Sequence, residues 1–216
     1  MKNKSVIFFG SIWTVAFLLS VIWVIQIKLD VLPYIDHWTR EIVPLTHGSA
    51  LYDFFRVITE LGSSHVLIPI AIGAAIGLMF LYRHWYPGLL LLGGSLFAHF
   101  LNVLIKQLIA RERPSISVTL NAEGFSFPSG HSMISMVCYG LMAYLLCKKI
   151  HSEKLKITVQ TVFGLLVCLI GISRFFINVH YITDVIAGFT VGFALLYIYI
   201  RIDRSFSDLR RRRKPS

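Results

Sequence analysis

The chain has 216 residues, of which 56% are hydrophobic and only 15% are charged, and its mean hydropathy is +0.69. Soluble domains carry about 25% charged residues, so this composition excludes an ordinary soluble protein and indicates a membrane protein. The formal net charge of +10 would by itself be compatible with nucleic-acid binding. Most of the basic residues, however, flank apolar runs, where they are expected to orient the chain in a membrane.

Six apolar runs predict an all-α bundle of six transmembrane helices. The first run could be a signal peptide, but it is longer than usual and lacks a clear cleavage site, so we interpret it as a helix. The mixed segment at about 30–60 includes an amphipathic stretch and is expected to lie on the membrane surface. One membrane domain over 1–216 is predicted, with spans at about 6–27, 66–82, 89–108, 131–147, 157–173 and 183–202.

Lys and Arg are distributed unevenly between the two sides of the predicted bundle. Fourteen of the 21 basic residues, but only three of the 11 acidic ones, fall at the two termini, near residue 83 and in 148–156. Because basic loops stay in the cytoplasm, both termini are predicted to be cytoplasmic. The loop at about 109–130 and the turn at 173–184 are then extracytoplasmic.

Residues typical of catalysis share that predicted outer side. Three cations, two histidines, a carboxylate and hydrogen-bond donors suit phosphoryl transfer, because the transferred group spreads negative charge over three equatorial oxygens. Guanidinium and ammonium groups are good phosphate ligands. The residues form three groups, which are Lys106 with Arg113 and Pro114; Pro128, Ser129, Gly130 and His131; and Ser173, Arg174, His180 and Asp184.

A nucleophile and an acid can be assigned from the spacing. His180 and Asp184 are four residues apart, which places them on one face of a helix at the start of the sixth span. The carboxylate would fix the imidazole tautomer and leave the other ring nitrogen free to attack. His131 is then expected to protonate the leaving oxygen and later to activate water. Ser129 and Gly130 would hold phosphate oxygens at a helix N-terminus.

The three groups together resemble the signature of the type-2 phosphatidic acid phosphatase family, the integral-membrane lipid phosphate phosphatases. In the first group, Lys106 is separated by six residues from an Arg-Pro pair. The second group, 128–131, has the sequence Pro-Ser-Gly-His. In the third, 173–184, a Ser-Arg pair is separated by five residues from a His, and that His by three residues from an Asp. The resemblance implies a metal-independent phosphatase with no cofactor and a phosphohistidine on His180, with Asp184 as its orienting group and His131 as acid. It also implies phosphate binding by Lys106, Arg113, Ser129, Gly130 and Arg174.

The signature indicates the phosphate chemistry more firmly than the substrate, because the family also includes soluble haloperoxidases and sugar phosphatases. Six spans favour a lipid phosphate or diphosphate. The compact length resembles bacterial members that act on phosphatidylglycerophosphate or undecaprenyl diphosphate, and phosphatidic acid is a further candidate. Membrane lipids are the other expected partners, whereas neither nucleic acid nor an obligate protein partner is predicted.

Other interpretations of these residues remain open at this point. Taken singly, Lys106 could extend to the membrane surface, Ser129 could only cap a helix, and Arg174 could pair with Asp184. A lipid or anion transporter would also place charges within the membrane. An intramembrane serine protease would use Ser129, although a Gly-x-Ser-x-Gly motif is missing there. A structural or regulatory protein that kept the signature is the last alternative.

Overall fold

The computed structural model describes residues 2–43, 48–114 and 124–212, and within these ranges the regular structure is entirely α-helical. Six of the helices, α1 and α4 to α8, are long and apolar enough to cross a membrane, which confirms the predicted six-span architecture. Residues 115–123 of the predicted outer loop lie outside the described residues. The helices are α1 (Lys2–Lys28), α2 (Tyr34–Arg40), α3 (Ala50–Glu60), α4 (Ser64–Tyr82), α5 (Tyr86–Ile109), α6 (Gly130–Cys147), α7 (Glu153–Phe176) and α8 (Ile182–Arg212).

Several helices extend beyond the apolar runs that predicted them. The helix α7 begins at Glu153 rather than at about 157, because the Ser152 hydroxyl caps it by accepting a hydrogen bond from the backbone N–H of Leu155. Capping side chains, rather than hydropathy, decide where a helix begins. At the other end of the chain, α8 continues to Arg212, well past the predicted apolar limit near 202.

Helix α6 lies at the centre of the bundle and packs against α4, α5, α7 and α8. Helices in a bilayer associate through close packing, because lipid tails are as apolar as the side chains. Two glycines of α8 allow this: a Cβ at Gly188 would lie 2.6 Å from the Ser129 carbonyl oxygen, and one at Gly192 would lie 2.7 Å from the Met133 carbonyl oxygen. The N-terminal ends of α6 and α8 are therefore held side by side.

The segment between the first two spans contains α2 and α3. The helix α3 packs Tyr52 and Phe55 against Ile177 and Val179, in the turn that follows α7. Its remaining surface is exposed and divides into an apolar part and a charged part, which agrees with the predicted amphipathic pattern; the apolar residues are Leu51, Phe54 and Val57, and the charged ones are Asp53, Arg56 and Glu60. The helix α2 packs against α8. Both short helices thus lie at the end of the bundle that carries the predicted site residues, and their place at a membrane surface stays a prediction.

Candidate active site

The three groups of predicted site residues converge at one end of the bundle. The positive charges of Lys106, Arg113 and Arg174 all act on the buried ring of His180, and the same charges act on His131. These residues come from the end of α5, the segment after it, the last turn of α7, the turn before α8 and the first turn of α6. These five places in the chain therefore form one cationic site.

His180 lies in the turn before α8, which begins at Ile182, so the prediction that it shares a helical face with Asp184 is wrong. Its backbone N–H donates to the Arg174 carbonyl at 3.2 Å, which holds it against the end of α7. The side chains still meet, with Nδ1 of His180 3.4 Å from Oδ2 of Asp184. Nε2 lies 3.3 Å from a guanidinium nitrogen of Arg113. Because a guanidinium can only donate, this contact favours the tautomer with the proton on Nδ1.

Both carboxylate oxygens of Asp184 accept hydrogen bonds. Oδ1 accepts from Arg111 at 2.6 Å, and Oδ2 accepts from the Ser126 hydroxyl and, at 2.9 Å, from the backbone N–H of Tyr181. The alternative in which Arg174 pairs with Asp184 is therefore wrong, since the cation at this carboxylate is Arg111. The Ser126 hydroxyl also lies 3.4 Å from Nδ1 of His180.

Three further residues of the site, Arg111, Ser126 and Asp36, were not predicted from the sequence. Arg111 bridges the two carboxylates, with a guanidinium nitrogen 2.7 Å from Oδ2 of Asp36. The available signals were weak, because Arg111 is one of several charged residues before Pro114 and Asp36 lies in a segment predicted to be on the membrane surface.

The three cations of the site are oriented by neutral groups. Lys106 donates to the Phe125 carbonyl at 2.8 Å, and Arg174 donates to the Thr59 hydroxyl at 2.9 Å. Arg113 donates to the Val179 carbonyl at 2.8 Å. Within the described ranges, Lys106 and Arg174 form no ion pair, and Nε of Arg174 is buried without a hydrogen-bond acceptor. Their positive charge is available to a bound anion.

The electrostatics of His180 follow from this arrangement. Burial, and then the charges of Arg174, Arg113 and Lys106, lower the pKa of His180 well below its usual range. Desolvation and nearby cations both disfavour the imidazolium form. His180 is therefore a neutral imidazole at neutral pH, the form that can act as a nucleophile.

The N-terminus of α6 holds the second histidine. Ser129 is the N-cap, and its hydroxyl accepts from the backbone N–H and the hydroxyl of Ser132 at 3.4 and 3.0 Å. A Cβ at Gly130 would lie 2.9 Å from the side-chain oxygen of Asn102, so the residue after the cap must be small. His131 follows in the first turn. Capping by Ser129 is thus observed, and it satisfies one of the backbone N–H groups that a helix N-terminus leaves without an intrahelical acceptor.

Gly62, in the turn between α3 and α4, packs against the ring of His131. A Cβ at Gly62 would lie 2.8 Å from Cδ2 of His131 and 3.2 Å from the hydroxyl of Ser135. Contacts this short would require the ring to move. The α3–α4 turn therefore helps to set the position of His131.

Comparison with known proteins identifies the family. The PAP2 superfamily model matches residues 87–207, which include every predicted site residue. The chain belongs to the PAP2 superfamily. This membership confirms the resemblance seen in the sequence, and with the relatives described next it supports a phosphatase.

Individual PAP2 relatives extend the likeness over most of the chain. Phosphatidylglycerophosphatase B of Bacillus subtilis (strain 168) is 36% identical over 156 residues, which cover 72% of this chain and 76% of the relative. The crystal structure of a transmembrane PAP2-type phosphatidylglycerolphosphate phosphatase from Bacillus subtilis matches with a TM-score of 0.79 and 31% identity, over 89% of this chain and 96% of that one. Dolichyldiphosphatase 1 of Dictyostelium discoideum is 28% identical over 136 residues, 62% of this chain and 59% of the relative. The protein is a multi-pass membrane enzyme of the lipid phosphatase type.

Replacing Arg113 by Gln should raise the pKa of His180, because loss of a neighbouring positive charge stabilises the imidazolium ion. The measurement is a pH titration of the histidine ring signals by NMR, with the His180 signal assigned from its absence in His180→Asn. Lys156→Gln removes a cation that pairs with Glu153 at the opposite end of α7 and should leave the titration unchanged. An unchanged or lowered pKa of His180 in Arg113→Gln would contradict the arrangement described above.

Proposed function

We propose that this lipid phosphatase hydrolyses phosphatidylglycerophosphate or undecaprenyl diphosphate at the outer face of the membrane through a phosphohistidine at His180. The observation that carries the proposal is the placement of His180, with Nδ1 directed to Asp184 and Nε2 directed to the cations. The relatives named above support these two substrate classes, since one acts on a phosphatidylglycerol phosphate and another on a prenyl diphosphate. Phosphatidic acid, or a broad range of lipid phosphates, is the alternative substrate assignment.

In the first step, Nε2 of His180 attacks phosphorus and the bond from phosphorus to the lipid-side oxygen breaks. The negative charge of the bound phosphate offsets the cations that act on His131, so that His131 can hold a proton in the complex. His131 donates this proton to the leaving oxygen, which becomes the free alcohol or the shorter phosphate. Lys106, Arg113 and Arg174 stabilise the charge that develops on the equatorial oxygens. Asp184 stabilises the positive charge that forms on the ring of His180.

In the second step, His131, now neutral, accepts a proton from water while the water oxygen attacks the phosphohistidine. The P–N bond breaks, and inorganic phosphate leaves with His180 restored. The hydroxyl of Ser129 and the backbone N–H of Gly130 lie at the N-terminus of α6, where they can bind phosphate oxygens in both steps. In this scheme the three cationic side chains supply the charge stabilisation, so catalysis requires no metal ion or other cofactor.

The charge asymmetry of the chain supports an outward-facing site with cytoplasmic termini. The opposite end of the bundle carries Lys148 and Lys149 after α6, Lys154 and Lys156 at the start of α7, and the basic end of α8. Loops rich in Lys and Arg remain in the cytoplasm. A site facing outward would meet lipid headgroups in the outer leaflet, where a polyprenyl diphosphate carrier is left after its sugar cargo has been used.

An apolar groove between α4, α5 and α6 is the proposed position of the lipid chain. Its volume is about 450 Å³, and its residues include Gly62, Leu67, Ala71, Ile72, His99 and Ile134. Gly62 connects the groove to the catalytic end, because the same residue packs against His131. A chain lying in this groove would place the headgroup beside His131, which supports lateral entry of the lipid between these helices.

The proposed function predicts phosphate release by the purified enzyme in detergent with a chelator present. Wild type should release phosphate from phosphatidylglycerophosphate or undecaprenyl diphosphate faster than from phosphatidic acid, and His180→Ala should reduce release to background because the nucleophile is lost. Asp184→Asn should lower kcat by about 10⁴-fold, as when the orienting aspartate of a catalytic triad is replaced. A strict requirement for a divalent ion, or turnover in His180→Ala, would contradict the proposal.

If the lipid chain lies in this groove, a larger side chain on the α4 wall of the groove should slow hydrolysis of a lipid substrate but not of a soluble one. Ile72→Trp should lower kcat/KM for a long-chain lipid by about tenfold, because overpacking an apolar site costs about 1–3 kcal/mol. It should leave hydrolysis of a short soluble phosphate ester unchanged. Ile76→Trp is the matched control, since Ile72 and Ile76 are 46% and 49% exposed but only Ile72 lines the groove. Equal effects of the two variants on the lipid would exclude this groove as its position.

A further inference from the structure

The catalytic end contains a buried ionic chain that the proposed reaction does not use directly. Arg111 lies between two carboxylates, 2.7 Å from Oδ2 of Asp36 and 2.6 Å from Oδ1 of Asp184. The residues are 7%, 1% and 0% exposed, respectively. They come from the segment after α5, from α2 and from the first turn of α8.

The arrangement depends on the shape of the guanidinium group. One terminal nitrogen donates to Asp184 and to the Thr183 hydroxyl, and the other donates to Asp36. The planar guanidinium group presents two separate terminal nitrogens in fixed directions, one to each carboxylate, whereas the three donors of a lysine ammonium group are on a single nitrogen. The ring of Tyr181 lies 3.9 Å from the guanidinium carbon and covers its face. Arg111 is therefore fixed in one orientation.

Asp36 is held as firmly as Arg111. Its two oxygens accept from Arg111, from the backbone N–H of Thr183 at 3.1 Å and from the Thr183 hydroxyl at 2.6 Å. Burial raises the pKa of Asp36, but these donors, one of them charged, favour the ionised carboxylate. A carboxylate at the free N–H groups of a helix N-terminus also stabilises that end of the helix. Asp36 thus contacts both the start of α8 and Arg111, and it holds Arg111 in its orientation.

Burying three charged groups is expensive, and such an array is weak evidence for stability alone. Its geometry, however, has a direct consequence for the catalytic pair. With Oδ1 of Asp184 held by Arg111, Oδ2 is the oxygen that remains for Ser126, the Tyr181 N–H and Nδ1 of His180. Rotation of the carboxylate would break these contacts together.

We propose that Arg111, oriented by Asp36 of α2, is a positioning residue that fixes the Asp184 carboxylate against His180. This inference rests on the proposed function, in which His180 is the nucleophile. It makes α2, a short helix that contributes no group to the reacting atoms, a part of the catalytic machinery. The contacts of Arg111 with Asp36 and Asp184 should affect the rate of the chemical step rather than phosphate binding. The terminal nitrogens of Arg111 donate to Asp184, Thr183 and Asp36 and not to the substrate.

The charges around His180 determine how the pH dependence should respond. Every neighbouring element contributes a titratable or charged group that faces His180. These groups are Lys106 on α5, Arg111 and Arg113 after α5, His131 on α6, Arg174 on α7 and Asp184 on α8. Asp36 lines the same small cavity as His180. Removing the Asp36 charge makes this environment more positive, so the imidazolium form of His180 becomes less stable and its pKa falls further.

The test compares Asp36→Asn with Asp203→Asn in the full-length enzyme. Asp203 is the matched control, because it is also buried, at 2% exposure, and accepts from Lys148 and Tyr144 at the opposite end of the bundle. Asp36→Asn should lower kcat by about 10- to 100-fold, as when partners that orient metal-bound histidines are lost, with KM nearly unchanged. The acidic limb of kcat/KM should move to lower pH. Asp203→Asn should lower the thermal stability but leave kcat and the pH profile of the folded enzyme unchanged.

The outcomes separate this inference from the proposed function. If Asp36→Asn loses thermal stability like Asp203→Asn but keeps the wild-type kcat and pH profile, the array is only structural and the inference is wrong. If His180→Ala retains wild-type turnover, the proposed function itself fails. Arg111→Lys provides a second variant in case Asp36→Asn does not fold. It keeps the positive charge but has all its donors on one nitrogen, so it cannot reproduce the two separate contacts of the guanidinium group. A wild-type kcat there would also overturn the inference, and a fall of similar size would support it.

Discussion

Lys106, Arg113 and Arg174 hold three positive charges around the buried imidazole of His180, at the end of a bundle where water screens charges weakly. Like charges in such a site repel one another, and they are expensive to keep unless something anionic completes it. Lys106 and Arg174 are oriented by a backbone carbonyl and a hydroxyl group and form no ion pair within the described residues, so much of their charge is uncompensated. A phosphate group would supply the missing negative charge. Binding, activation of the nucleophile and transition-state stabilisation can thus depend on the same electrostatic feature.

The bundle makes this concentration of charge possible through close backbone packing. The central α6 touches α8 at Gly188 and Gly192, so the N-terminal ends that carry His131 and Asp184 stay adjacent. On the other side, the α3–α4 turn contacts His131 through Gly62, and the Thr59 hydroxyl holds Arg174. The short helices α2 and α3 therefore do more than connect two spans. They complete the walls of the site.

Much of this could be predicted from the sequence, because the relevant signals are local. Six spans follow from hydropathy and length, and the phosphate chemistry follows from the spacing of residues within three short motifs. The pairing of His180 with Asp184 was also predicted, although the helical reason was wrong, since His180 is held by the carbonyl of Arg174 in a turn. Helix ends were missed where a capping residue such as Ser152 extends a helix beyond its apolar run.

The role of Arg111 and Asp36 could not be read in the same way. They are 75 residues apart and meet only because α2 packs against the start of α8. An aspartate in a polar surface segment has no local feature that indicates a buried partner. Such long-range ion pairs require the folded structure, whereas motifs whose members lie within a dozen residues do not.

Detection of a phosphate on His180 would test the central claim most directly. In His131→Ala, an aryl phosphate with a good leaving group should still phosphorylate the enzyme, because that first step needs little acid assistance, whereas hydrolysis by water should be slow. Rapid quenching followed by mass spectrometry should then find the added phosphate on the peptide that contains His180. Phosphate on another residue would contradict the account. The account would also be contradicted if the enzyme turned over steadily without any detectable phosphorylated peptide and His180→Ala remained active.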